Sequence, residues 1–392
     1  MATATLESAA AKTLESAAVF AKSFPNSEIE KFLDSAHGGG VNQDILELCA
    51  GLSFLSYKTK QLSEYENDLK EWNLCKEKFS DLSVRFYQKG KKTPGSDSHL
   101  SRNPPTFIGI TTGSILILCW RGTHDAGDAL KDFELESTAP FEDQTLEVQK
   151  DLYNTIKNNY ESNFRLTKQF VEGDYSQVKG KQAKDGVPIK RIILTGHSLG
   201  ASIANVAHLC LKLPSNDWND LVQTCKDETV CVQTIAFSAP MSIIIDNESN
   251  DLRTLIQKEI YPNMINILYS GDVVPRAYSI LEYLQEFVDD INNGNKEFSS
   301  NEILDEAAKK LVDFADKVVL VDHAEQAKRY SHVGKILIIS SHNATTSIYD
   351  LYDDIHDSKK SFRSIKYSEY NIPANKTVAT GLKNHSFLPL HY

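Results

Sequence analysis

No apolar run in the 392-residue sequence approaches the length of a membrane span; the longest, such as Ile115 to Trp120, are strand-sized. Basic charge is short as well. Lys and Arg number 42 against 53 Asp and Glu, a net charge of −11, which argues against nucleic acid as the main partner and against tight binding to anionic membrane surfaces. The chain does not open on a basic region followed by an apolar stretch. It reads MATATLESAAAKTLESAA, with acids at Glu7 and Glu15, so a secretory signal is not expected. Cys49, Cys75, Cys119, Cys210, Cys225 and Cys231 fall at no metal-ligand spacing, and in a chain without a signal they are expected to be reduced. The Gly38-Gly39-Gly40 run reads as a linker or turn, with nothing around it like a phosphate-binding loop. No metal and no cofactor is implied. These absences point to a cytoplasmic protein, peripheral to membranes at most. A secreted form stripped of its signal would look the same, and only there would the sequons beginning at Asn247, Asn343, Asn375 and Asn384 count.

What is present describes an ordinary globular chain: 41% apolar and 24% charged residues are enough for an ample core. Residues 1–40 read as an N-terminal helical arm and linker, containing TLESAA twice, and 41–392 as one α/β domain. Helical periodicity runs from Asp44 to Gln61, and Gln144 to Tyr160 also reads as a helix. Lys76 to Lys92 mixes Lys and Arg with Phe79, Phe86 and Tyr87 and is taken as a solvated helix face. Thr106–Ile110 and Ser114–Trp120 read as a hairpin across Thr111-Thr112-Gly113. Further strands are expected at Val232–Phe237, Met264–Tyr269 and Lys335–Ser340. Amphipathic helices are expected at 279–293 and 301–318, and one more at 348–360. Strands alternating with helices imply a mostly parallel central sheet with helices on both faces.

The chain is organised around Pro188 to Pro214, where the β-rich run Ile189–Thr195 passes through Gly196-His197-Ser198-Leu199-Gly200 into a helix-period segment. A strand, G-x-S-x-G and a helix in that order form a nucleophile elbow. A serine on so sharp a turn takes a strained backbone conformation, and its neighbours two before and two after must be nearly side-chain-free. Gly196 and Gly200 meet that need. Ser198 is therefore the candidate nucleophile, and the Leu199 N–H, at a helix N-terminus, a candidate donor to developing negative charge. A serine hydroxyl needs a histidine to take its proton and an acid to orient that histidine. In this architecture both follow the serine, acid first. Asp272 stands directly after a strand, in Ser270-Gly271-Asp272-Val273-Val274-Pro275-Arg276, and is the candidate acid.

Here the sequence resembles the class 3 lipases, the fungal-lipase-like α/β hydrolases, with the D-V-V-P-R form most like diacylglycerol-lipase and plant-type members. Five motifs agree in order: Cys119-Trp120-Arg121-Gly122-Thr123, the elbow, Ala236-Phe237-Ser238-Ala239-Pro240, the D-V-V-P-R turn, and Tyr330-Ser331-His332-Val333-Gly334. The resemblance covers roughly residues 106–392, with a weaker echo at Asp44–Tyr57. It implies an α/β-hydrolase fold and a serine carboxylester hydrolase with an acyl-enzyme on Ser198. It also implies Thr123 as the second oxyanion-hole residue, a structural role for His332 and Arg121, and His197 pointing away from the chemistry. Of the histidines downstream of Asp272 (His323, His332, His342, His356, His385 and His391), the base is implied to be His385 in Asn384-His385-Ser386-Phe387, with His342 and His356 as the main alternatives and His391 expected to be frayed.

Three departures are visible. Ala201 stands where the family usually has a second glycine after the elbow, and V-H-x-G-F appears as Val148-Gln149-Lys150-Asp151-Leu152. The segment after R-G-T, His124 to Glu147, is acidic and poor in bulky apolar groups, which argues against strong activation at an oil–water interface. A helical cap-like insert at about 277–330 is the alternative cover. The expected substrates are acylglycerols or phospholipids, with transient contact to a membrane or lipid-droplet surface. Feruloyl or short-acyl soluble esters are the second reading, and a non-catalytic lipase-like binding scaffold the third.

Overall fold

The computed structural model describes residues 43–57, 62–88, 105–122, 136–174, 187–215, 217–245, 250–269, 272, 274–276, 329–339 and 346–349, and all that follows concerns these. The first strands are β1 (Ser83–Gln88), β2 (Phe107–Thr112), β3 (Ile115–Trp120), β4 (Ser137–Thr138), β5 (Leu146–Gln149) and β6 (Arg191–His197). They are followed by β7 (Cys231–Phe237), β8 (Ile243–Ile245), β9 (Met264–Tyr269), β10 (Tyr330–Ser331), β11 (Lys335–Ile339) and β12 (Thr346–Tyr349). Eight of them form one sheet in the order β1-β2-β3-β6-β7-β9-β11-β12. The pairs from β3 to β11 are parallel, and the antiparallel pairs lie at the two ends. This is an α/β-hydrolase fold.

The strands sort their side chains by parity, as the pleat requires. Leu116, Leu118, Trp120, Ile192 and Leu194 fall in one core, and Ile117, Cys119, Ile193, Ile235 and Phe237 in the other. Helices α4 (Lys150–Val171), α5 (Leu199–Lys212) and α6 (Asn219–Asp227) close the first face. α1 (Gln43–Leu55), α2 (Leu62–Glu71) and α3 (Asn73–Lys78) close the second. Both faces of the inner strands are thus out of water, which is why they read as near-continuous apolar runs. Each fully buried Leu or Ile contributes roughly 1.5–3 kcal/mol. Helix α1 is buried along its length from Ile45 to Leu55, and Ser53 Oγ reaches Thr195 Oγ1 of β6 at 3.4 Å.

Several expectations are corrected. Within Lys76–Lys92, residues 79–88 are not a helix face: α3 stops at Lys78 and β1 follows as the edge strand, while 89–92 lie outside the described residues. Phe86 points into one core and stacks on Phe107 and Phe170, while Val84 and Tyr87 pack on the other, across a bulge between Val84 and Phe86. The stretch from Gln144 is likewise split, because Leu146 and Val148 alternate with Glu147 as β5 before α4 begins at Lys150. β5 belongs to a second sheet, β10-β8-β5-β4, that the sequence reading did not anticipate. Residues Thr346–Tyr349 are a strand pairing with β11, where the start of a helix was expected. The hairpin across residues 111–113 is present, with Gly113 at a φ of 52°. The N-terminal arm and the helices expected at 279–293 and 301–318 lie outside the described residues. All six cysteines are free thiols.

Candidate active site

The elbow is built by close backbone approach. Ser198 follows β6 and caps α5 at φ 57°, ψ −129°, a conformation that an L residue rarely adopts. Its N–H donates to the Phe237 carbonyl at 2.9 Å, and its own carbonyl accepts from the N–H groups of Ala201 and Ser202. A Cβ on Gly196 would lie 2.5 Å from the Gly200 carbonyl carbon, and one on Gly200 would lie 2.2 Å from the Trp120 carbonyl oxygen. Both contacts are with backbone, so neither glycine can carry a side chain. Ala201, where a second glycine was expected by resemblance, is fully buried in its own small cluster with Ala236 and Ala239. Ser198 is buried, and Leu199 is the first residue of α5. N–H groups of a helix's first turn have no intrahelical acceptor, and the helix dipole there favours negative charge.

Asp272 is fully buried just beyond β9. Its Oδ1 accepts the Val274 N–H at 2.9 Å, and a single 3-10 turn, Val274–Arg276, follows. β7 lies between β6 and β9 in the sheet. One pairing row runs from His197 to Phe237 to Ile267. Beyond it the Ser238 N–H donates to the Ile267 carbonyl at 2.8 Å. Ser198 and Asp272 therefore emerge from the same, C-terminal edge of the parallel strands. Thr123 and His385 lie outside the described residues, as do His323, His342, His356 and His391.

His332 is buried, and its Nε2 lies 3.1 Å from the Pro275 carbonyl, in keeping with the structural role expected of it. Next to it the Val333 carbonyl accepts from Asn266 Nδ2 at 2.8 Å, and Asn266 Oδ1 accepts from Asn205 Nδ2 at 2.8 Å. This buried amide pair ties α5, behind the serine, to β9, which leads to Asp272. The sequence reading passed over it, although an Asn within each of the apolar runs IANVA and MINIL was the available signal. Gly122 is a second residue at the site whose need for glycine only the tertiary packing shows. A Cβ there would lie 2.2 Å from Tyr57 Oη, 2.4 Å from the His197 carbonyl and 3.0 Å from Ser198 Cβ. His197 turns towards α1, packing on Phe54 and Tyr57, with Nδ1 2.8 Å from Tyr57 Oη.

Among the described residues no group of three or more His, Cys, Asp or Glu is placed to hold a metal ion, and no helix is long and apolar enough to cross a membrane. Residues 117–282 match the Lipase (class 3) family. No curated protein sequence matches the chain. Among solved structures, a Rhizomucor miehei lipase in complex with its propeptide is 12% identical at a TM-score of 0.45, over 87% of this chain and 75% of that one. The lipase from Rhizopus microsporus var. chinensis is 13% identical at a TM-score of 0.45, over 91% and 90%. Lipase II from Rhizopus niveus is 14% identical at 0.42, over 91% and 98%. The weight rests on the family match and on the chain's own strands and elbow. Residues 117–282, with the elbow at their centre, are similar to the class 3 lipases and lie on an α/β-hydrolase fold, which supports a carboxylic ester hydrolase.

Proposed function

We propose that the protein hydrolyses acyl esters of acylglycerols or phospholipids through an acyl-enzyme on Ser198. The observation that carries this reading is the elbow itself, with Ser198 at φ 57° between β6 and the first turn of α5. The Oγ of Ser198 attacks the ester carbonyl carbon while His385 takes its proton, and buried Asp272 holds the imidazole. The Leu199 N–H and Thr123 stabilise the oxyanion of the tetrahedral intermediate. As it collapses, the carbon–oxygen bond breaks and the alcohol leaves with the proton from His385. Water then attacks the acyl-enzyme by the same route, releasing the fatty acid and restoring the serine. No cofactor enters this sequence.

The D-V-V-P-R turn supports a likeness to the diacylglycerol-lipase and plant-type members. The proposal includes one hydrolase domain over 41–392, a cap at about 277–330, and a cytoplasmic enzyme that touches membrane or droplet surfaces transiently. The acidic stretch His124–Glu147 favours the second reading, a soluble-ester esterase. Hydrolysis of emulsified diacylglycerol against a soluble short-chain ester decides between them, with Ser198→Ala as the control. The proposal expects the higher turnover on diacylglycerol and none in Ser198→Ala. Persistent fluorophosphonate labelling of Ser198→Ala would overturn the assignment of the nucleophile.

A further inference from the structure

We propose that Tyr57, two residues beyond α1, is a positioning residue for the reaction: its hydroxyl joins His197 to the Gly122 backbone and so fixes the place of Ser198 between them. This rests on Ser198 acting as the nucleophile. The side chain comes from 140 positions before the elbow, yet its oxygen meets both the elbow and the backbone just after β3. Tyr57 Oη lies 2.8 Å from Nδ1 of His197, the last residue of β6. It also takes a backbone hydrogen bond from Gly122.

The space is fully used. One point, the Cβ position of Gly122, is 2.2 Å from Tyr57 Oη, 2.4 Å from the His197 carbonyl and 3.0 Å from Ser198 Cβ. Glycine is the residue that lets the three approach. A phenol has one proton. Accepting from the Gly122 N–H and donating to Nδ1 uses its oxygen in both senses and leaves His197 with its proton on Nε2. Burial pushes the phenol's pKa up, with Arg121 opposing, so the hydroxyl keeps its proton through the neutral range. Phe54 and Tyr57 hold the imidazole between their rings, each with its centroid 5.8 Å away. The base of α1 is itself tied to the nucleophile strand through Ser53 and Thr195. Tyr57 therefore couples the end of α1 to the backbone packed against Ser198, and a displacement of the order of 1 Å there costs about 10²-fold in rate.

The test is Tyr57→Phe, which keeps the ring and removes the oxygen, in the full-length protein. Active sites are counted by stoichiometric fluorophosphonate labelling, and a short-chain soluble ester reports turnover. The expected result is a fall in kcat per labelled site of about 10- to 100-fold, with KM within twofold. The phosphonylation rate should fall by a similar factor, because the same Ser198 Oγ attacks the phosphonate. His197→Leu, which removes the hydroxyl's acceptor, should show the same split. His197→Asn, which keeps a polar atom near the Nδ1 position, should recover most of the loss relative to His197→Leu. An unchanged kcat per labelled site in Tyr57→Phe would overturn the proposal, whatever the melting temperature does. So would a loss confined to KM, or no difference between His197→Asn and His197→Leu. Failure of the nucleophile assignment reads differently, as labelling that persists in Ser198→Ala.

Discussion

The Nε2 of His332 lies 3.1 Å from the carbonyl oxygen of Pro275, and this contact fastens the entry of β11 to the turn that carries Asp272. Gly334, two residues on, has a φ of 94°, and a Cβ there would meet the Met264 carbonyl at 2.5 Å. The histidine is thus held by its own backbone as firmly as it holds the proline. His332→Ala should loosen the Val274–Arg276 turn and let the Asp272 carboxylate drift. Turnover should fall by roughly tenfold, with a stability loss of about 1–3 kcal/mol for the buried carbonyl left without a donor. Denaturant melts and ester hydrolysis measured on one preparation check both. A variant with full stability loss and unchanged turnover would separate His332 from the chemistry.

The elbow glycines make a sharper stability claim. In Gly200→Ala the new methyl would sit 2.2 Å from the Trp120 carbonyl oxygen and 2.8 Å from the carbonyl carbon of Arg121. Backbone on β3 cannot move without breaking the pairing of Trp120 with Gly196. The loss should exceed ~3 kcal/mol or prevent accumulation of folded protein. Gly113→Ala is the comparison. Nothing lies within 4 Å of its Cβ position, and only the φ of 52° is at issue, which costs about 1–2 kcal/mol. Thermal unfolding of the two variants should rank them in that order.

His208 supplies a pH signature. It is fully buried on α5, and its Nδ1 lies 2.9 Å from Thr234 Oγ1. Burial, reinforced by Lys212, lowers its pKa from 6.5 to about 3. The unfolded chain binds the proton first, so the contribution to stability is complete above pH 6.5 and is lost as the pH falls from there towards 3. By pH 5 the loss is roughly 2 kcal/mol. His208→Asn should be less stable at neutral pH yet show a flatter decline between pH 6.5 and 4. Denaturant midpoints across that window check it, and parallel slopes in the two proteins would refute it.

If His385 is the base, the C-terminal residues belong to the active site. A histidine must hold hydrogen-bond distance, about 3 Å, to Ser198. His385→Ala should then abolish turnover with little loss of fold, and His391→Ala should be mild. Deletion from Asn384 onward removes Phe387, Leu388 and Leu390 as well, and should add several kcal/mol of instability if they pack. Retained activity in His385→Ala, with loss in His342→Ala or His356→Ala, would move the base.

What the sequence determined by itself was local. Gly196-His197-Ser198-Leu199-Gly200 between a β-rich run and a helix-period run could form only a sharp strand-to-helix turn, and β7 and β9 were legible because inner strands of a parallel sheet read as near-continuous apolar runs, even with Gln233 and Asn266 among them. Edge and partly solvated strands were not. β1 carries Arg85 at a bulge between Val84 and Phe86, which breaks its alternation, and β5 carries Glu147 between Leu146 and Val148, so both short strands sat beside charges that also suit helices. Their identity depended on pairing partners, β2 and β8, distant in the chain. The same holds at the site. Spacing could nominate Ser198 and Asp272 one at a time, because each stands at the end of its own strand. That Tyr57 meets His197 across 140 positions, or Asn205 meets Asn266 across 61, was decided by tertiary packing alone. A hydrogen bond between distant segments leaves no period in the chain; it exists only once the sheet has set the helices on its two faces.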